Sequence, residues 1–252
     1  MPTPRPALRH RTRPVARAAV IAVCATLTLT LAGCAAASPT TTYTDASGQE
    51  VTVDWSDYPA HAGIDADAVL EAPVAEDVEA RWEIIRAAVV DAIDVALDGA
   101  LDDASWSERG DGGWTDEIGN GYGGQSMLST YNSGSWEAEI VLPREDWDRV
   151  IAAAQAELAE WGITGVGPEP TEVPEWLDYG DFFEGPEFVS VAVQDASLDA
   201  DAHSGALERG WLVSGISLFY GIQTISEADR AAFTAAAAPF AGLERPEPTS
   251  SD

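Results

Sequence analysis

The chain has 252 residues, with 13 arginines and no lysine set against 43 acidic residues, for a formal net charge of −30 at pH 7. A field of that sign repels phosphate backbones and anionic headgroups, which argues against nucleic acid as a partner and leaves cations or basic groups as the species it gathers. Two cysteines, Cys24 and Cys34, and three histidines, His10, His61 and His203, leave no thiolate metal site and little material for a histidine-dependent triad.

In chain order, Arg5, Arg9, Arg11, Arg13 and Arg17 come before any acidic residue, and an apolar run from Ala18 to Leu31 follows, broken only by Thr26, Thr28 and Thr30. About 14 residues suit the apolar region of an export signal, since a stable span needs about 20. Leu31-Ala32-Gly33-Cys34 then reads as a bacterial lipobox, with small residues that leave the backbone open to a peptidase. It predicts an N-terminal signal helix within residues 1–33, cleavage after Gly33, and a diacylglyceryl group and palmitate on Cys34 as the lipid attachment. With no adjacent arginine pair, the general secretory route is favoured. Each buried methylene contributes about 0.8 kcal/mol, so two or three acyl chains hold a domain to a membrane that its polypeptide need not enter. The expected location is therefore the extracytoplasmic face of the cell membrane. Losing the five signal arginines takes the net charge from −30 to −35, and with Cys24 removed and Cys34 lipidated no disulfide can form.

Residues 34–42 have the small, polar, proline-punctuated composition of a flexible tether, with Ser and Thr positions open to glycosylation. Residues 43–242 read as one α+β domain and 243–252 as a disordered tail. Within the domain, Thr42 to Thr44 and Glu50 to Val53 predict a hairpin turning at Gly48, followed by irregular chain from Trp55 to Pro73. Val78, Trp82, Ile85, Val89, Ile93 and Leu97 recur at helical steps, predicting a helix from Pro73 to Gly99, with Asp77 placed to pair with Arg81. Residues 105–136 predict turns and one or two strands among glycines and the aromatics Trp106, Trp114, Tyr122, Tyr131 and Trp136. A strand over 137–142 leads into a second helix from Pro143, with Trp147, Val150, Ile151, Ala154, Leu158 and Trp161 on one stripe and Gly162 as its cap. Residues 163–187 predict a proline-rich loop. Val189, Val191 and Val193, then Leu212, Ile216, Leu218, Tyr220 and Ile222, alternate as strands, with Gly215 and Gly221 as candidate bulges. Ser226 with Asp229 opens a last helix. The sum is an antiparallel sheet of about four strands with two or three helices packed on one face.

From Leu142 onward the chain resembles the LppA-like lipoproteins of mycobacteria and related actinobacteria. The carrying features are Leu142-Pro143-Arg144-Glu145-Asp146-Trp147, the helix closing at Trp161-Gly162, the proline-rich loop, and the strands Val189 to Val193 and Trp211 to Thr224. Together with the lipobox and the helix around Trp82, they cover most of the mature chain. Family members tend to carry cysteines in the central and C-terminal strands, where this sequence has Gly123-Gly124 and Gln223-Thr224, so a family disulfide is ruled out here. The resemblance implies a cell-envelope lipoprotein and supplies no reaction.

Chemistry is sparse. No G-x-S-x-G occurs, and Ser126 lacks the small residue that follows the serine of a nucleophile elbow. A two-carboxylate glycosidase is compatible with 43 acidic residues, but that abundance selects no pair. Asp195, Asp199, Asp201, His203 and Glu208 form the most metal-like stretch. The EF-hand order fails there, because Gly205 falls in the seventh place from Asp199 and no glutamate in the twelfth. The expectation is a solvated loop between strands, with no metal and no cofactor. Trp176, Tyr179, Phe182 and Phe183 are candidate ligand contacts, either a platform for a glycan or peptide or a lid folded onto the sheet. The balance favours a non-enzymatic binding or interaction module with an envelope protein or glycan as partner. A carboxylate-dependent, glycan- or wall-active hydrolase and a calcium-stabilised surface protein stay open as alternatives.

Overall fold

The computed structural model describes residues 38–249 except 102–103, 117 and 169–171. The expected signal helix of residues 1–33 and Cys34 lie outside the described residues. Among the described residues no helix is long and apolar enough to cross a membrane.

The first hairpin forms as its turn chemistry dictates. Strands β1 (Thr40–Thr44) and β2 (Glu50–Asp54) pair antiparallel, and Asp45 Oδ1 accepts from the amides of Ser47 and Gln49 at 2.8 and 2.9 Å beside Gly48 at φ 83°. Because β1 starts at Thr40, residues 40–42 belong to the hairpin and not to the tether. The stretch after it is not wholly irregular. Helix α1 (Ala66–Glu71) forms there, with Asp65 capping it through the amide of Asp67 at 2.9 Å.

Helix α2 (Val78–Ala96) buries the predicted stripe Val78, Trp82, Ile85, Val89 and Ile93, and it begins later than Pro73 because residues Ala75–Asp77 form a separate tight turn. The aromatic, glycine-rich stretch resolves into β3 (Ser105–Arg109), β4 (Gly113–Thr115), β5 (Ser129–Asn132) and β6 (Ser135–Glu139). Helix α3 (Arg144–Glu160) buries Trp147, Val150, Ala154 and Leu158, and ends at Gly162, whose φ of 85° suits a residue without Cβ. The expected loop over 163–187 is corrected: it holds the short strand β7 (Gly165–Val166) and the eight-residue β8 (Leu177–Glu184). Strand β9 (Glu187–Asp195) follows. The acidic stretch read as a solvated loop is instead helix α4 (Ala200–Arg209), and β10 (Ser214–Thr224) and α5 (Arg230–Ala237) complete the chain. Ser226 and Asp229 bond each other in the turn ahead of α5, at 2.6 Å between side chains and 3.2 Å from amide to hydroxyl.

The sheet is twice the expected size. Its eight strands run in the order β3-β6-β10-β9-β8-β7, with β5 beside the far half of β10 and β4 outside β5, and every pairing is antiparallel. Gly215 and Gly221 are not bulges, since β10 pairs with β9 in one unbroken register from Ser214 to Ile222. The bulge lies in the partner strand. Asn132 pairs with Gly221 and Trp136 with Leu218, so residues 133–135 stand opposite only 219 and 220, and Ser133 bridges the irregularity by accepting from the amide of Tyr220 at 3.0 Å. Gly221 is needed for room, because a Cβ there would lie 2.3 Å from the Phe188 ring.

Alternation gives the sheet two unlike faces. Val189, Val191, Val193, Ile216, Leu218, Tyr220 and Ile222 are buried against α2 and α3 in the main core. Fully burying each aliphatic side chain is worth about 1.5–3 kcal/mol, which makes this face the main source of stability. The opposite face carries Ser190, Ala192, Gln194, Ser217 and Phe219, is only half-buried, and has α4 over part of it. Helices therefore flank both faces, and not one as expected.

A second core cluster joins both ends of the described chain. Trp55, Tyr58, Tyr122 and Phe240 pack with ring centroids 5.0–6.2 Å apart. Buried Asn120 Oδ1 accepts from the amides of Tyr122 and Gly124 at 2.9 and 3.0 Å. The described part of the expected tail, residues 243–249, is held against this cluster. Arg245 reaches Asp65 at 3.2 Å, Tyr122 donates to Pro246 O at 3.0 Å, and Thr249 N donates to Gly121 O at 2.8 Å.

Candidate functional site

The half-buried face of the sheet carries the site. In register, Ser107 stands beside Glu137, Glu137 beside Ser217 and Ser217 beside Ala192, so period-two alternation aims Glu137 and Ser217 away from the main core. Arg109, the last residue of β3, lies on this face and donates from Nε to Glu137 Oε2 at 2.7 Å.

Helix α4 is held across the same face at both ends. At its start Asp199 Oδ1 accepts from the amides of Asp201 and Ala202 at 2.9 and 2.8 Å. Just before it, Asp195 Oδ1 accepts from the hydroxyls of Ser197 and Ser214 at 2.6 and 2.7 Å. These bonds, the Ser197 hydroxyl foremost, hold the Asp195 carboxyl below the usual carboxylate range. At its end α4 stops on Gly210 at φ 64°, whose carbonyl accepts from Arg109 Nη1, while Gln194 Nε2 donates to Leu212 O. Pinned at its ends and made of small residues on its inner side, α4 leaves a cavity of about 470 Å³ over the sheet. Glu137, Ser217 and Gln194 form the floor, Ala202, Gly205 and Ala206 the helix wall, and Trp176 and Trp211 the apolar sides.

Glu137 is the unusual group. Only 8% of it is exposed, and among the described residues no donor reaches Oε1, which is left to the cavity. That oxygen keeps contact with open space, so a ligand N–H or O–H takes the place of water there. Trp211 is 56% exposed, with the Arg209 guanidinium 4.7 Å over its ring, so the mouth offers a broad aromatic surface.

The predicted ligand-contact aromatics do not form one platform. Trp176 is half-buried and lines the cleft. Tyr179 sits on the same sheet face, paired across strands with Ala192, and is not among the cleft-lining residues. Phe182 is 1% exposed in the main core, and Phe183 is 44% exposed on the other face. The reason is that residues 177–184 are a strand, in which neighbours point to opposite faces. The earlier aromatics mostly seal the edge of the main core: Trp106 and Trp136 stack at 6.3 Å with Arg86 4.1 Å over Trp136, and Trp114 packs on Tyr131 at 5.2 Å.

The metal-like stretch is used for capping, as described for Asp195 and Asp199. Among the described residues no three His, Cys, Asp or Glu side chains are grouped to hold a metal ion. His203 lies on α4, its Nδ1 buried without a hydrogen-bond partner. The cleft residues Arg109, Glu137, Gln194, Trp211 and Ser217 carried no motif. The one local signal was the alternation of Glu137 and Glu139 with apolar neighbours, which gives a polar face but no partner for it. No family model, curated protein or solved structure matches the chain.

Proposed function

We propose that this is a lipid-anchored lipoprotein of the cell envelope, held through Cys34 on the extracytoplasmic face of the membrane, whose domain binds a small envelope ligand in the cleft between the sheet and α4. The anchor is supported by Leu31-Ala32-Gly33-Cys34, its arginine flank and its apolar run, and the LppA-like resemblance points to the same location. The observation that carries the binding role is Glu137, a buried carboxylate with one oxygen tied to Arg109 and the other facing a cavity walled by tryptophans. A cavity that is mostly apolar with a few directed polar groups is the common form of a small-molecule site.

Two measurements test this reading. Metabolic labelling with palmitate is expected to mark the wild type and not Cys34→Ser, and Cys34→Ser is expected to leave the membrane fraction; an unchanged membrane association overturns the anchor. Small-molecule extracts of the envelope are expected to raise the melting temperature of the wild type, because a ligand at a hundred times its Kd adds about 2.7 kcal/mol of stability. If Trp176→Ala responds as the wild type does, the cleft is not the site.

A further inference from the structure

We infer that the cleft selects a primary ammonium carried on an aromatic or apolar body. This rests on the cleft being the binding site and names the chemistry of its ligand. Three floor groups have acceptor capacity left over: among the described residues Glu137 Oε1, Gln194 Oε1 and Ser217 Oγ take no hydrogen bond, while the donor of Gln194 is engaged by Leu212 O. An ammonium presents three donors and no acceptor, which matches a floor whose spare capacity is for accepting, whereas a hydroxyl brings a single donor. The bond to a carboxylate is charge-assisted on both sides. The indole of Trp176 attracts a cation as well as an apolar body, while Arg209 already covers one face of Trp211.

Charge elsewhere points the same way. The eight arginines beyond residue 37 are all engaged: Arg81 by Glu187, Arg109 by Glu137, Arg144 by Asp178, Arg149 by Asp98 and Asp146, Arg230 by Glu227, Arg245 by Asp65, Arg86 over Trp136 and Arg209 over Trp211. The acidic surplus of the domain is thus left unneutralised and draws cations toward the surface. Asp201 adds a carboxylate on the α4 side of the cleft. Arg109 and Arg209 also line the cleft, the first paired with Glu137 and the second over Trp211, so the cleft's own charges balance and the preference for a cation comes from its free acceptors and the surrounding acidic surplus.

The test uses the full chain in nonionic detergent with two small probes of matched shape, phenethylammonium and phenethyl alcohol, titrated calorimetrically. The ammonium is expected to bind one per chain and at least about tenfold more tightly than the alcohol, the factor expected of a charge-assisted bond over a neutral one. Glu137→Gln is expected to bring the two probes together in affinity. Should that variant fail to fold, Ser217→Ala and the wild-type comparison of the two probes decide the matter, with Ser217→Ala expected to weaken the ammonium more than the alcohol. Equal binding of both probes to the wild type, with both lost in Trp176→Ala, overturns the ammonium preference and leaves the cleft as the site. Binding of either probe that Trp176→Ala leaves unchanged, or no binding of either, overturns the ammonium inference, and unchanged binding in that variant removes the cleft reading too.

Discussion

Two arginine–glutamate pairs sit on opposite sides of one sheet and are built for different ends. Arg81 grips Glu187 with two nitrogens, Nε to Oε1 at 2.7 Å and Nη2 to Oε2 at 3.0 Å, and Tyr220 donates a third bond to Oε1 at 2.9 Å. Trp82 stacks on Tyr220 at 5.0 Å, closing the group against the main core. Burial first, and the Glu187 charge beside it, push the Tyr220 phenol well above its ordinary range, so it stays a donor. Arg109 holds Glu137 by one nitrogen only, and the second oxygen faces a cavity. A carboxylate whose oxygens are both engaged helps fasten the fold, while one left half-engaged keeps acceptor capacity to spare.

Adjacent residues of β10 give the sharpest test of the contrast between faces. Leu218→Ala opens a cavity under α2 and α3 and is expected to cost about 3–4 kcal/mol in urea unfolding, while Phe219→Ala on the half-buried face costs about 1 kcal/mol. Near-equal losses would mean that the two faces contribute alike. Glu187→Gln breaks the closed pair. It is expected to cost about 2–3 kcal/mol, below the full value for a buried pair because Arg81 keeps some solvent contact. Tyr220→Phe removes one neutral donor to a carboxylate that Arg81 still holds, with an expected loss of about 1 kcal/mol. Glu137→Gln is expected to lower stability by less than about 1 kcal/mol, since Arg109 is partly solvated and keeps Gly210 O. A large loss there would make Glu137 a structural group like Glu187.

The smallest effect concerns acid. Hydroxyl bonds hold Asp54 and Asp195 below the usual carboxylate range, through Ser38 and Ser197 foremost, and Asp45 is held down in the same way by Ser47. Their folded values lie below the unfolded value of about 3.9, so their stabilisation is complete above that pH and is lost as pH falls through the folded values. The melting temperature is therefore expected to stay level between about pH 7 and 5 and to decline below about pH 4. The decline is shallow, because protonating the acidic surplus also relieves self-repulsion. A steep decline already near pH 6 would point to a different titrating group.

Local pattern alone determined the helix stripes of Trp82 and Trp147, the Gly48 hairpin, the alternating strands around Val191 and Leu218, and the acidic balance of the chain. Each follows from spacing within about a dozen residues or from composition, where the 3.6- and two-residue periods act directly. Tertiary pairing decided the rest. Residues 177–184 carry a glycine and polar residues that obscure their alternation, and only β9 beside them makes a strand that sends Phe182 inward and Phe183 outward. The stretch that forms α4 reads as a solvated loop with metal-like composition because caps and ligands draw on the same aspartates. The cleft itself joins Arg109, Glu137, Trp176, Gln194 and Trp211 from separate elements. No local period encodes that meeting, because cross-strand register and the placement of α4 bring those side chains together.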